Sequence, residues 1–342
     1  MKALVLEEYG KFDFTDAPEP EPGPDDVLIA VRACCICGSD VHGMDGSTGR
    51  RRPPIIMGHE AAGVIAQLGA AVKSWNIGDR VTFDSTIYCG QCDPCRRGEI
   101  NLCDNRRVLG VSCDEYRQHG AFAEFVAVPQ RILYRLPERL PFEHAALVEP
   151  FSIALHAINR SRLALNDSVV VVGAGMIGLA LVQCLAHAGC GRLIAVDIAE
   201  DRLALAKDFG ATHIIHSSAD AAKKIIDLTH GRGADAAFEA VGVSATVQLA
   251  LGSLRKGGAL TLVGNIAPAI DFPLQAAVTR EITLFGSCAS RGEYPAAMDM
   301  LARGALNPQP LLSAVAPLAD GAAWFDRLYR KEPGLMKVIL KP

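Results

Sequence analysis

The chain has 342 residues, half of them hydrophobic, with 34 Lys and Arg against 38 Asp and Glu and a formal net charge of −4. A chain of this length carries about two domains, each able to bury its own core, and its apolar content excludes disorder as the dominant state. The slight acidic excess argues against a partner held by its phosphates, so nucleic acid is not expected.

In chain order, residues 1–10 (MKALVLEEYG) read as a short alternating strand that carries Glu7 and Glu8 and lacks the apolar stretch of a secretory signal. The expected compartment is the reducing cytoplasm, where the eleven cysteines, an odd number, serve as thiols or metal ligands rather than as a disulfide framework. Residues 27–33, 62–68, 80–83 and 121–128 are short, often alternating runs bounded by turn signals, and predict a small β-rich domain, a barrel. Two motifs fall in loops of this region: Cys37-Gly-Ser39-Asp40-Val-His42 and Gly58-His59-Glu60. Cys, His and Glu are the types that hold a catalytic zinc with one position open. Taken singly, each also reads as a core histidine, a buried thiol beside Cys34 and Cys35, or a solvated carboxylate. Arg50, Arg51 and Arg52 lie between the two motifs and have two readings, a solvated basic surface or a reader of a substrate phosphate or carboxylate.

Cys89, Cys92, Cys95 and Cys103 follow in CGQCDPCRRGEINLC. Thiolates two residues apart in a tight turn converge on one tetrahedral zinc, and a closed four-thiolate shell is structural; an iron–sulfur cluster is the competing occupant. Residues 136–150 hold three prolines and lead into a helix, as a passage between domains would.

From residue 168 strands and helices alternate, the sign of a parallel doubly wound sheet. Strands are expected at 169–173, 192–197, 213–215, 234–239, 259–263 and 282–286, with helices at 176–188, 200–209, 219–229 and 245–254. Residues 168–191 lack any formal charge, but Gly173, Gly175, Gly178, Gln183 and His187 make them a strand, turn and helix rather than a membrane span. Gly173-Ala-Gly175-Met176-Ile177-Gly178 follows a strand, opens a helix and precedes Asp197 by about 20 residues, the context of a dinucleotide fingerprint. Asp197 would accept from the ribose hydroxyls and repel a 2′-phosphate, which favours NAD over NADP. Arg202 is placed either beside the adenine or in a surface pair with Glu200 or Asp201, and Gly242 and Gly264 end later strands at the cofactor edge. Two further helical patterns and a last strand at 336–340 should return to the first domain.

The motifs CGSDVH, GHEAAGVI, the four-cysteine lobe, VEPFSIALHA, VVVVGAGMIG and LMKVILKP occur in this order over nearly the whole chain. With them the chain resembles the zinc-dependent medium-chain dehydrogenase/reductase family, in its sorbitol (polyol), galactitol-phosphate and threonine dehydrogenase group. The resemblance implies an α/β fold: a GroES-like β-barrel catalytic domain (1–150 and 288–342, with a structural-zinc lobe at about 86–104) and a Rossmann NAD-binding domain (151–287). It makes Cys37 and His59 catalytic-zinc ligands and brings Glu60 and Glu149 to the same ion, one binding directly and the other bonding or exchanging with its water. Ser39 becomes the proton acceptor and His42 the relay to solvent, whereas Asp40 reads as a structural hydrogen-bond acceptor and His156 as a packing residue or a neighbour of the ligands. The implied reaction is reversible, NAD-linked oxidation of a secondary hydroxyl of a polyol or sugar alcohol, phosphorylated or acidic ones included. It uses two zinc ions per subunit in a homodimer or homotetramer. Arg291 is a second candidate for an anionic substrate group. An L-threonine 3-dehydrogenase and a non-catalytic NAD- and zinc-binding protein are the alternatives, and a zinc-free reductase would lack Cys37, His59, Glu60 and the lobe. The six cysteines outside the metal sets, Cys34, Cys35, Cys113, Cys184, Cys190 and Cys288, are expected to be buried.

Overall fold

A computed structural model describes residues 1–111 and 118–342. The chain divides into two compact units, Met1–Glu149 with Tyr294–Pro342, and Pro150–Glu293.

The first unit is built on a seven-stranded sheet whose centre is the strand Asp26–Cys35. This strand is apolar almost throughout (DVLIAVRACC) because it pairs on one side with Glu60–Leu68 and on the other with both Phe125–Pro129 and Lys337–Lys341. It runs two residues beyond the expected 27–33 because Cys34 and Cys35 have partners on both sides, Ala61 and Glu60, and Leu340 and Ile339. The register opposes Cys35 to Glu60. The chain leaving toward Cys37 and the chain arriving through His59 therefore meet at one end of the ladder, although the sequence separates them. A buried cluster that includes Leu4, Ile29, Met57, Phe122 and Phe325 fills the interior.

Two expectations need correction in this unit, and several strands lie outside the expected ones. Only Phe125–Pro129 of the expected 121–128 strand joins the ladder, since Gly120, Ala121 and Phe122 instead bond to the backbone of Ile56, Gly58 and Met57. Residues 38–43 form a helix, Gly38–Gly43, rather than a loop, because the Asp40 carboxylate reaches back to the Cys37 amide at 3.3 Å. Six strands among the described residues lie outside the expected ones: Ile55–Ile56, Thr86–Ile87, Arg107–Val108 and Leu133–Arg135 are only two or three residues long, and two are longer. Lys11–Asp16 pairs with Lys2–Glu8, and Leu312–Pro317 runs parallel to Lys337–Lys341; both are largely exposed and so lack a strong apolar signature.

The second unit is a six-stranded parallel sheet in the order His213–His216, Arg192–Asp197, Ser168–Val172, Ala234–Glu239, Leu254–Leu262, Thr283–Gly286. Ser168–Val172 (SVVVV) is wholly buried, as a central parallel strand must be. The order reverses between it and Ala234–Glu239, and such a switch point opens a crevice at the carboxyl ends of the strands. The strand Leu254–Leu262 starts earlier than the expected residue 259. Arg255 Nε bonds Asp235 Oδ1 at 2.6 Å, and Leu254 pairs with Ala234. Among the described residues no helix is long and apolar enough to cross a membrane. Of the six remaining cysteines, Cys34, Cys35 and Cys184 are buried and Cys190 is half-buried. Cys288 is exposed, against expectation, because it lies past the end of the edge strand Thr283–Gly286, and Cys113 lies outside the described residues.

Candidate metal centres and dinucleotide site

Cys37, His59 and Glu60 converge so that one ligand atom from each lies within 4.8 Å of the others. The surrounding charges suit a cation. His59 Nδ1 lies 3.4 Å from Asp40 Oδ1, an ion-pair separation in which the carboxylate faces one ring nitrogen and leaves the other for a metal. Burial works against a charged His59, yet Asp40 and Cys37 outweigh it and hold the ring's proton well above the ordinary imidazole range. Burial likewise opposes a charged Asp40, but His59 and Arg51 keep its carboxyl well below the usual range.

Glu60 is 1% exposed, and Lys337 Nζ reaches both of its oxygens, one at 2.6 Å. Glu149 stands outside the three-residue group. Its Oε1 accepts from Ser85 Oγ at 3.2 Å, and burial with the nearby Glu60 charge pushes its carboxyl up to about 7. Ser39 Oγ is exposed and 3.3 Å from Cys37 Sγ. His42 follows three residues later on the same short helix, also exposed, so the two share one helix face.

The thiols of Cys89, Cys92, Cys95 and Cys103 form a second convergent group. The Cys92 and Cys103 sulfurs are 3.8 Å apart, which is the edge of a tetrahedron with zinc–sulfur bonds of about 2.3 Å. The Gln91 and Cys92 amides point at the Cys89 sulfur and pull its thiol down to about 6. Burial instead pushes the Cys95 thiol up to about 12 and raises that of Cys103, so it is the convergence of the four sulfurs at tetrahedral spacing that marks a metal shell.

In the second unit the fingerprint opens the helix Met176–Ala186 at the carboxyl end of Ser168–Val172. Gly173 has φ +96°, and a Cβ on Gly178 would lie 1.7 Å from the Gly173 carbonyl oxygen, so neither position accepts a side chain. A Cβ on Gly175 would meet nothing within 4 Å, leaving room for a ligand to approach the backbone. Met176 and Ile177 are half-buried in the first turn. Asp197 is fixed beside this loop: its Oδ2 accepts from the Ala174 amide at 2.5 Å and its Oδ1 from the Ala199 amide at 2.9 Å. Arg202 is half-buried in the first turn of Glu200–Asp208. Gly242 and Gly264 pack backbone to backbone, a Cβ on Gly264 falling 2.3 Å from the Gly242 nitrogen, so their small size has a structural reason of its own.

Residues 23–138 match the model of the alcohol dehydrogenase GroES-like domain, and residues 177–303 that of the zinc-binding dehydrogenase. The chain is 34% identical to sorbitol dehydrogenase of Bacillus subtilis, with 100% of this chain and 97% of that protein covered. It is 35% identical to D-arabitol-phosphate dehydrogenase of Enterococcus avium over 97% of this chain and 94% of the relative. The chain belongs to the zinc-binding alcohol dehydrogenase family. The crystal structure of galactitol-1-phosphate dehydrogenase from Escherichia coli agrees, with a TM-score of 0.92 at 29% identity and 100% of both chains covered.

Several residues of this zinc-binding dehydrogenase emerge only in three dimensions. Arg51 is 2% exposed and bonds Asp40 Oδ1 at 2.8 Å, while Arg50 and Arg52 are exposed. The arginine run is thus neither uniformly a surface nor uniformly available to substrate. Lys337 had a signal in the sequence, a lysine joined to the apolar run Val338–Leu340 of the end strand, but nothing there named its partner. Glu239 is fully buried, and its Oε1 accepts the Val241 and Gly242 amides at 2.9 and 2.8 Å, shaping the loop at the strand's carboxyl end. His156 is buried, with Nδ1 2.9 Å from Glu293 Oε1, and is not in either metal-competent group. Arg291 is exposed and gives its backbone amide to Glu293.

Proposed function

We propose that the chain oxidises a secondary hydroxyl of a polyol or sugar alcohol to the ketone, reversibly, with NAD. The observation that carries this reading is the convergence of Cys37, His59 and Glu60, three ligand types, with the exposed Ser39 hydroxyl alongside. The polyol class rests on the relatives named for sorbitol, arabitol phosphate and galactitol phosphate.

In this reading Cys37, His59 and Glu60 hold a catalytic zinc, and Cys89, Cys92, Cys95 and Cys103 hold a structural one. A zinc ion with an open position polarises the oxygen it binds and makes its proton easier to remove, and the nicotinamide takes the hydride. The chain's own work is to bind, orient and move the proton. Asp40 orients His59. Lys337 neutralises Glu60, so that the pocket does not hold two uncompensated carboxylates. Glu149, which accepts from Ser85 Oγ, would bond the water at that centre or exchange with it. Ser39 Oγ accepts the substrate proton, and His42 passes it to solvent. The helix beginning at Met176 turns its amides to the pyrophosphate, and the fixed Asp197 carboxylate repels a 2′-phosphate. A homodimer or homotetramer in the reducing cytoplasm completes the reading; the exposed Leu274, Val278 and Leu284 of the second unit offer apolar surface for association.

The test is a panel of free polyols, phosphorylated polyols and threonine, followed by NADH absorbance, with metal analysis of the same protein. Two zinc ions per chain and chelator-sensitive activity with polyols and NAD are expected. Activity confined to threonine overturns the polyol class, and a flat trace from a chain holding both metals overturns the catalytic reading.

A further inference from the structure

We propose that Arg51 is a positioning residue of the metal centre: its guanidinium fixes Asp40, and through Asp40 the orientation of His59. The proposal rests on the reading that Cys37, His59 and Glu60 hold zinc. Arg51 Nη2 donates to Asp40 Oδ1 at 2.8 Å, and this same oxygen lies 3.4 Å from His59 Nδ1. Asp40 Oδ2 meanwhile accepts the Cys37 amide at 3.3 Å, so one fully buried carboxylate touches the segments carrying both Cys37 and His59. Nη2 also lies 3.4 Å from Ser39 Oγ.

The surroundings are built for this arginine. Its side chain is 3% exposed and that of Asp40 0%. A Cβ on Gly43 would lie 2.7 Å from Arg51 Cγ, so the glycine leaves the space that the arginine stem fills. A guanidinium this deeply buried does not face a dissolved substrate, and burying it has a cost that only a paired acid offsets. A carboxylate shared between a histidine and a backbone amide would also turn more freely without a second, fixed donor. Arg51 supplies that donor with a planar group that a lysine ammonium reproduces only in charge.

The experiment follows zinc released from the folded enzyme into a colorimetric chelator, for the wild type, Arg51→Lys, Arg51→Met, Asp40→Asn and the Asp40→Asn/Arg51→Met pair. Cys37→Ser identifies the catalytic ion in the wild-type trace. Outer partners of metal ligands are typically worth about 10- to 100-fold in metal affinity. Arg51→Met should therefore speed release of the catalytic zinc by about that factor and leave the lobe zinc alone. Arg51→Lys should restore part of the loss, and the double variant should release no faster than Asp40→Asn alone. The preference between phosphorylated and free polyols should not change. Wild-type release rates in a folded Arg51→Met, or additive effects in the double variant, overturn the proposal. So does loss of phosphorylated substrates alone, which would make Arg51 a substrate reader. If Arg51→Met does not fold, Arg51→Lys decides by the same release measurement, wild-type release again overturning the role. A wild type with only one zinc, unaffected by Cys37→Ser, brings down the metal reading itself, whereas two zinc ions with unaltered release in the variants bring down only the role of Arg51.

Discussion

The two metal-competent groups lie in the same unit and were encoded in opposite ways. The four thiols of the lobe come from one segment, residues 89–103, and their spacing alone brings them together. Cys37, His59 and Glu60 meet only because a strand register opposes Cys35 to Glu60, and the residue that neutralises Glu60 lies 277 positions away. A closed structural shell needs only its own loop. A group assembled from separate strands is held by the charges and strands around it, so its properties are spread over the unit.

The sharpest way to break this contrast is to remove one ligand from each group. Cys37→Ser should cost activity by about three orders of magnitude or more, the several kcal/mol that a Lewis acid supplies. One zinc per chain should remain, and the melting temperature should move little. Cys103→Ala should instead lower the melting temperature, since structural zinc contributes folding energy directly, and lose activity only as the folded fraction falls. Equal thermal losses in the two variants would erase the distinction.

Lys337→Met tests how far the open site depends on its distant neighbours. In the zinc-free protein, removing one member of this buried pair leaves Glu60 uncompensated, at about 3–5 kcal/mol, so a large drop in its unfolding free energy is expected although no metal ligand is replaced. A drop below about 1 kcal/mol, the size of a surface pair, would mean that the pair is not held as described. The smallest effect belongs to a control in the unit that holds neither metal group. Asp197→Asn should raise the NADP to NAD ratio of kcat/KM about tenfold by removing like-charge repulsion, with zinc content unchanged. An unaltered ratio would detach Asp197 from coenzyme choice.

What the sequence made legible follows the same division. The lobe, the glycine fingerprint and the order of strands and helices after residue 168 are local patterns, and spacing or periodicity suffices for them. The grouping of Cys37, His59 and Glu60 came from family resemblance, because periodicity says nothing about which strand lies beside which. Arg51 looked like one of three equivalent arginines. Its difference comes from the gap left by Gly43 and the acid waiting at Asp40, neither of which is adjacent in sequence. The strand Leu312–Pro317 escaped notice because alternate residues are exposed and prolines flank it, so its only strong cue is its partner, Lys337–Lys341.

That closing strand has a consequence for synthesis. Residues 337–341 supply both a neighbour for Asp26–Cys35 and the counter-charge of Glu60. Residues 1–336 must leave the ribosome before they arrive. The second unit has its whole sheet between residues 168 and 286 and can form while the first unit still waits. A nascent chain stalled before residue 337 should therefore protect the parallel sheet from protease while leaving the strand Glu60–Leu68 cleavable, and equal protection of both would show that the end strand is dispensable for closure.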